Sequence, residues 1–252
     1  MRFFAQGVLA IALLFCHAAS AITNIESIRH SGKAEGIEVA IDLAMRFQRG
    51  NTDHSQYAAS LKLMDFTDRR QRIVVLDHDY ARDGDRKTTD RSFAHLRHVW
   101  LRDGPLDYEL FVQFQSNEFT FLQQRSLAGA GIRRQLLDST LHSLHMGLGG
   151  YYTRERYRSA LASEENHDWR GNLYLSYRLQ WLENLGWVNT VYVQPKFGHA
   201  ADVYALNDSR LESFINHHLS LFVSVVHMFD NRPFADNKRL DSERRAGLML
   251  RF

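Results

Sequence analysis

From Ile37 to Gln48 every second side chain is apolar: Ile37, Val39, Ile41, Leu43, Met45 and Phe47. Between them lie Glu38, Ala40, Asp42, Ala44, Arg46 and Gln48. A period of two puts one set on each face of an extended strand, and a helical wheel through the same residues gives a poorer stripe. The grammar recurs down the chain. Tyr57 to Leu63, Val74 to Tyr80, Ala94 to Trp100 and Tyr108 to Phe114 alternate in the same way. A Gly-rich segment at Ala128 to Ile132 follows, then Leu144 to Tyr152, Leu173 to Trp181, Val191 to Phe197, Leu219 to Phe229 and Ala246 to Phe252. Residues 203–214 form a tenth segment without clean alternation. Twelve strands result, an even number that returns the chain to the side on which it began.

No stretch reaches 18 consecutive apolar residues, so no helix spans a bilayer. Only helices and closed sheets satisfy every backbone group in hydrocarbon. The aromatic residues choose between a membrane barrel and a soluble sandwich. With the N-terminal end in the periplasm, Trp100, Tyr108, Trp181, Trp187 and Phe252 fall at the periplasmic rim. Phe47, Tyr57, Tyr80, Phe114, Tyr152, Trp169 and Phe229 fall at the opposite rim. Two aromatic girdles define a membrane barrel, whereas a soluble sandwich concentrates its large rings mid-strand. The expected fold is therefore all-β: a transmembrane antiparallel up-and-down β-barrel of about 12 strands. Turns near 67–71, 101–106, 137–141, 182–186 and 214–218 are expected to be short and periplasmic. Segments 82–91, 116–124, 153–168 and 230–239 are expected to be longer, polar outer loops.

The start of the chain reads as an address. Met1-Arg2, an apolar run from Phe3 to Phe15 and the small-x-small site Ala19-Ser20-Ala21 have the layout of a secretory signal peptide. The expected division is a cleaved signal over 1–21, a short periplasmic segment over 22–34 and the barrel over 35–252. Cleavage near Ala21 removes Cys16, the single cysteine, so no disulfide framework and no multi-cysteine metal site remain. Lys and Arg number 31 against 29 Asp and Glu, which leaves no electrostatic footprint for nucleic acid.

Several runs carry a family resemblance: Arg49-Gly50-Asn51-Thr52-Asp53 after the first strand, Leu127-Ala128-Gly129-Ala130-Gly131-Ile132, Gln194-Pro195, and Leu219-Ser220-Leu221 leading into Asp230-Asn231-Arg232-Pro233. In this order they resemble the salt-induced outer-membrane proteins of the YdiY type, over nearly the whole chain after the leader. Residues Leu206 to Arg210 depart most from the pattern. The resemblance implies a Gram-negative outer-membrane barrel, has no assigned function and supplies no catalytic residues. The terminal Leu248-Met249-Leu250-Arg251-Phe252 looks like an outer-membrane assembly signal, which implies the barrel-assembly machinery as a partner beside outer-membrane lipid.

Chemistry is less legible. His95 with His98, and His142 with His145, stand three apart, so on a strand each pair points to opposite faces and cannot share a metal. Asp77 and Asp79 share one face. Glu165-Asn166-His167-Asp168-Trp169 is the nearest approach to a protease-like acid–histidine pair, and it lacks a companion acidic motif. An outer-membrane enzyme acting on lipid or peptide at the extracellular rim is the alternative reading. No motif for a cofactor or metal stands out. The better lead is the inward parity of Glu38, Asp42, Arg46, Lys62, Arg97, Glu109, Arg133, Arg178, Lys196 and Arg245, which are expected to line the lumen. With Ile73, Val75, Phe93, Val99 and Phe111 also inward, the lumen is expected to be partly filled, and the function to be structural or that of a narrow channel; a connection with salt or osmotic stress is what the family resemblance implies.

Overall fold

The structure, a computed structural model, describes residues 35–49, 53–104 and 106–251, without the side chains of Ala44 and Arg46. The expected signal peptide over 1–21 and the expected periplasmic segment over 22–34 lie outside the described residues, as do residues 50–52, Pro105 and Phe252. Twelve strands close into one barrel, each antiparallel to its neighbours in chain order, with β1 meeting β12. They are β1 (Gly36–Gln48), β2 (His54–Phe66), β3 (Arg70–Asp83), β4 (Arg86–Trp100), β5 (Leu106–Asn117) and β6 (Leu122–Asp138). The second half comprises β7 (His142–Arg158), β8 (Ser163–Leu182), β9 (Leu185–Lys196), β10 (His199–Phe214), β11 (Leu219–Asp230) and β12 (Leu240–Arg251). Described residues of both ends of the chain lie at one end of the barrel, the near end; the other is the far end.

The alternation decides which side chains face outward. Leu173 and Leu175 of β8, Leu221 and Val223 of β11 and Leu248 and Leu250 of β12 are exposed on the outer wall, while Asn172, Tyr174, Ser176, Ser220 and Met249 are buried within. Trp169 and Trp181 are both exposed on β8, twelve residues apart. At ~3.3 Å per residue and a ~45° tilt, they stand about 28 Å apart along the membrane normal, close to the height of an outer-membrane apolar band. At the far girdle Tyr152 packs against Trp169 with ring centroids 5.4 Å apart, and Phe47 against Tyr57 at the same spacing.

The expected long outer loops are corrected by the structure. The β3–β4 hairpin closes at Gly84-Asp85, and β7 and β8 pair out to Arg158 and Ser163. Strands therefore run through most of 82–91 and 153–168. Above the girdle the outward face of a strand meets water instead of lipid, so its outward residues turn polar and the apolar period is lost while the ladder and the buried inward face continue. Polarity there marks the end of the membrane and not the end of the strand. Of the four segments, 231–239 remains a true loop.

The tenth segment is a full strand of 16 residues. Tyr204, Leu206 and Asp202 are buried inside, while Asn207 and Ser209 share the outward parity with Val203 and Leu211. Polar residues on the lipid side and Leu206 on the inner side are what blurred its period.

Candidate functional site

Among the described residues, the barrel interior is where charge is concentrated away from water. Strand parity delivers it, and four groups of side chains occupy it. Nearest the termini, Arg251 of β12 lies 2.6 Å from Glu212 of β10 and 3.3 Å from Glu38 of β1, and it also donates to Ser220. In the near half, Arg97 of β4 donates to Glu109 of β5 at 3.2 Å, and Tyr174 reaches Glu109 from β8 at 3.2 Å. That last contact crosses the lumen. Lys62 of β2 meets Asp42 of β1 at 2.7 Å.

Two further groups fill the far half. Arg125 of β6 lies 2.7 Å from Glu155 of β7, which accepts from Tyr157 and from Tyr204 of β10. Arg170 of β8 pairs with Asp202 at 2.8 Å and lies over the Tyr204 ring at 3.7 Å, and Lys196 reaches Asp168 at 2.6 Å. On the opposite wall, Arg91 of β4 pairs with Asp79 at 2.5 Å and with Glu243 of β12 at 3.1 Å. Arg245 pairs with Glu243 and lies 3.9 Å from Asp79. Most of these charges are buried. A buried charge is tolerable only when paired and hydrogen-bonded, and nearly every charge named here has an opposite partner within 4 Å.

Apolar and aromatic side chains occupy the remaining interior. Tyr174, Tyr192, Tyr204, Leu206 and Met228 form one cluster, and Ala40, Met64, Phe66, Ile73, Val75 and Met249 another. Glycines on β6 and β7 make room for the rings. A Cβ on Gly129 would fall 2.5 Å from the Phe111 ring and 2.6 Å from Tyr151, and one on Gly147 would fall 2.0 Å from a carbon of the Tyr174 ring. The Gly-rich run at 127–132 is thus a bed for inward aromatics.

A strap crosses the far mouth. Loop 231–239 joins β11 to β12, and the turn 118–121 joins β5 to β6, six strands away around a twelve-strand wall. Asn237 nevertheless donates to the Thr120 carbonyl at 2.9 Å. Phe234 stacks on Tyr157 at 5.1 Å and meets Phe121 edge-on at 6.2 Å. Phe121 and Ala235, both at this contact, are the non-glycine residues with positive φ among the described residues. Such backbone persists where its surroundings hold it. Asn231 anchors the foot of the strap, accepting from the Val203 N–H at 2.9 Å. Replacing Phe234 and Asn237 together by alanine is expected to speed trypsin cleavage after Lys238 and Arg239 several-fold at an unchanged folded fraction. Equal cleavage rates in the two proteins would contradict the tie.

Of the residues expected from parity, Glu38, Asp42, Lys62, Arg97 and Glu109 take part in the interior pairs above. Arg133 lies 3.7 Å from Asp107, Arg178 donates to Gln180 at 2.7 Å, and Lys196 and Arg245 join the far groups. The side chain of Arg46 lies outside the described residues. Sequence reasoning missed Arg91, Arg125, Glu155, Arg170, Glu212, Glu243 and Arg251. Arg91 and Glu155 lie in segments read as loops; Arg251 shares the parity of Arg245, so its signal was present.

The histidine pairs divide between faces. His95 is buried between the Phe93 and Phe111 rings, and His98 lies beside Trp100 at 4.2 Å. Above the far girdle, hydrogen bonds from Arg154 hold the Glu165 carboxyl below the usual carboxylate range, and His167 adds to the effect. Asp168 points the other way, to Arg170 and Lys196, so the acid–histidine run is split between outside and inside. Two His–Ser contacts lie on the outer wall, His78 to Ser92 at 3.0 Å and His227 to Ser242 at 2.8 Å. Among the described residues, no acid or amide orients the second ring nitrogen of either histidine, as a hydrolytic triad requires.

A closed twelve-strand wall, an outward apolar band and two girdles define a transmembrane β-barrel of the outer-membrane type. Residues 41–252 match the family described as "Protein of unknown function, DUF481", and the chain belongs to that family. Among curated proteins none is significantly similar in sequence. Among solved structures, the NanC porin is 8% identical, with a TM-score of 0.52 over 85% of this chain and 99% of its own. The translocator domain of autotransporter NalP from Neisseria meningitidis is 11% identical, with a TM-score of 0.49 over 90% of this chain and 91% of its own. The KdgM porin in complex with disordered oligogalacturonate is 8% identical, with a TM-score of 0.46 over 84% and 98%. The likeness to NanC is one of fold.

Proposed function

We propose that the protein is a Gram-negative outer-membrane barrel, delivered by its signal peptide, with a structural role and an ion path that is narrow and closed in the conformation described. One observation carries this reading: Tyr174 crosses from β8 to Glu109 on β5 within an interior whose charges are buried in pairs. A twelve-strand wall could enclose a wet passage, yet here its own side chains fill it. The parity residues whose side chains are described serve this reading as pillars of the filled lumen. The near end is periplasmic, so the strap lies outside the cell. Assembly proceeds through the barrel-assembly machinery acting on the terminal segment that ends in Phe252. The role in salt adaptation follows the YdiY resemblance and is tested by abundance, which should rise when cells are moved to high salt.

Purified protein in a planar bilayer in molar KCl is expected to show no steady current. Replacing Tyr174 and Tyr204 by alanine removes two interior rings and is expected to produce resolvable steps. Steady steps from the unaltered protein would overturn the closed path. The enzymatic alternative predicts that an active-site fluorophosphonate labels Ser92 or Ser242; the expected result is no labelling.

A further inference from the structure

The wall of the barrel is not uniformly closed. β1 pairs with β2 over its whole length, from Gly36 to Gln48, and β12 pairs with β11 from Leu240 to Leu250. Between β1 and β12 the register holds at Ala40 with Arg251 and Ile41 with Leu250. Continuing that register would set Asp42 to Gln48 against Met249 to Glu243, and there no further β1–β12 pairing forms among the described residues. Seven residues at ~3.3 Å each give a slot about 23 Å long, in the far half of the wall. The side chains beside it register the gap. Leu43 and Met45 are 68% and 67% exposed, against 45% for Leu173 and Leu175, which have strands on both sides.

Unpaired backbone cannot rest against hydrocarbon, so such a slot must meet water or polar groups. Polar groups converge on it from both sides of the wall. Inside is a recess of about 50 Å³ lined by Asp77, Asp79, Arg91, Phe93, Gln115 and Arg245. At ~10–15 Å³ for each water centre, it holds about four waters, the bulk of a small phosphate–amine group. Arg245 belongs to the slot's own edge strand and lines the recess. Outside, a polar row lies on the lipid-facing side of β10 to β12: Asn207 stands opposite His227, which stands opposite Ser242. The exposed Arg244 follows next on β12.

We infer that the β1–β12 slot is a lateral portal that admits the headgroup of a zwitterionic phospholipid from the bilayer into the recess. The phosphate is taken by Arg245 and the ammonium by Asp77, while the acyl chains stay outside against Leu43, Met45 and Leu248. The charge pattern selects the ligand: the recess presents both signs, which matches a zwitterion better than a purely anionic head. This inference rests on the outer-membrane reading above, and it adds a lipid ligand to an otherwise closed barrel.

The test uses the full chain in vesicles, with the photoreactive residue p-benzoylphenylalanine at position 93. Phosphatidylethanolamine and phosphatidylglycerol carrying a fluorescent acyl chain serve as alternative probes. Crosslinking to phosphatidylethanolamine is expected to exceed that to phosphatidylglycerol at least several-fold, and to fall several-fold in Arg245→Gln and Asp77→Asn. A Leu43→Cys, Leu248→Cys pair spans the slot in register; its disulfide is expected to abolish crosslinking and reductant to restore it. Equal labelling of the two lipids, or labelling indifferent to the disulfide, overturns the portal. Retention of the folded, heat-modifiable gel band in every variant separates that outcome from failure of the membrane barrel itself, which would show as loss of insertion before any lipid is tested.

Discussion

Replacing Glu155 by alanine is expected to destabilise the barrel by about 3–5 kcal/mol, because the change strands a buried cation. Glu155 is 2% exposed, lies 2.7 Å from Arg125 and accepts from the hydroxyls of Tyr157 and Tyr204. Without it, the Arg125 guanidinium keeps the Tyr157 hydroxyl at 3.0 Å and the Tyr204 ring at 5.2 Å, neither of which carries a compensating charge. The pair itself contributes far less than its disruption costs, since desolvation of both ions offsets most of their attraction. The double replacement Arg125→Met, Glu155→Leu should therefore recover most of the loss. Urea midpoints of reversible unfolding in micelles or bilayers measure all three proteins. A loss below ~1 kcal/mol in Glu155→Ala would show that water reaches the pair, and that the interior is wetter than its burial implies.

Gly147→Val is expected to cost at least ~3 kcal/mol, at the upper end of what overpacking a filled interior does. Gly147 and Tyr174 are direct neighbours across β7 and β8, and the Tyr174 ring lies over the glycine. A branched side chain there must push the ring aside, and the ring carries the hydroxyl that reaches Glu109. The loss therefore includes the contact across the lumen and should couple to Glu109. In a double-mutant cycle, Gly147→Val and Glu109→Gln together should cost less than the sum of their separate effects. Gly104→Ala is the control, because nothing lies within 4 Å of a Cβ at that position; it should change stability by less than ~0.5 kcal/mol. A Gly147→Val protein as stable as the parent would mean that Tyr174 has no fixed seat.

The fold was readable because a lipid-facing strand must repeat its apolar face every second residue, and Ile37 to Phe47 or Leu173 to Trp181 do so without a break. That repeat ends where lipid ends. Residues 153–168 carry Arg154, Arg156, Glu165 and His167 on the outward side of strands that continue past the girdle, and a polar strand in water looks like a loop. β10 was blurred for a related reason, since Asn207 and Ser209 break the apolar face that a membrane strand displays. Parity also predicts an inward placement of Lys62, Arg97, Glu109 and Arg178, because face assignment is local. Pairing is not local. Nothing in the neighbourhood of Tyr174 announces Glu109, 65 positions away, and Asn237 gives no sign of Thr120 across the mouth. The incomplete β1–β12 seam is likewise a property of closure, which no single strand encodes.

The family runs acquire physical roles from the same geometry. Gly129 lets the Phe111 ring lie against the wall, and Gln194 accepts from Tyr151 at 2.6 Å while donating to Asn172 at 2.8 Å. Asp230 and Asn231 fix the foot of the strap: Asp230 accepts from the Arg232 N–H at 2.8 Å, and Asn231 bonds back to β10.

Single nitroxide labels attached through cysteines at positions 175, 223 and 248 in reconstituted bilayers test the central claim most directly. If the outer wall is solvated by acyl chains, each label collides readily with dissolved oxygen and hardly at all with a water-soluble nickel chelate, while a label at the buried position 176 is shielded from both. Labels at 175, 223 and 248 that are immobilised and shielded from oxygen would place a second layer of protein over that wall, and the membrane barrel would be wrong.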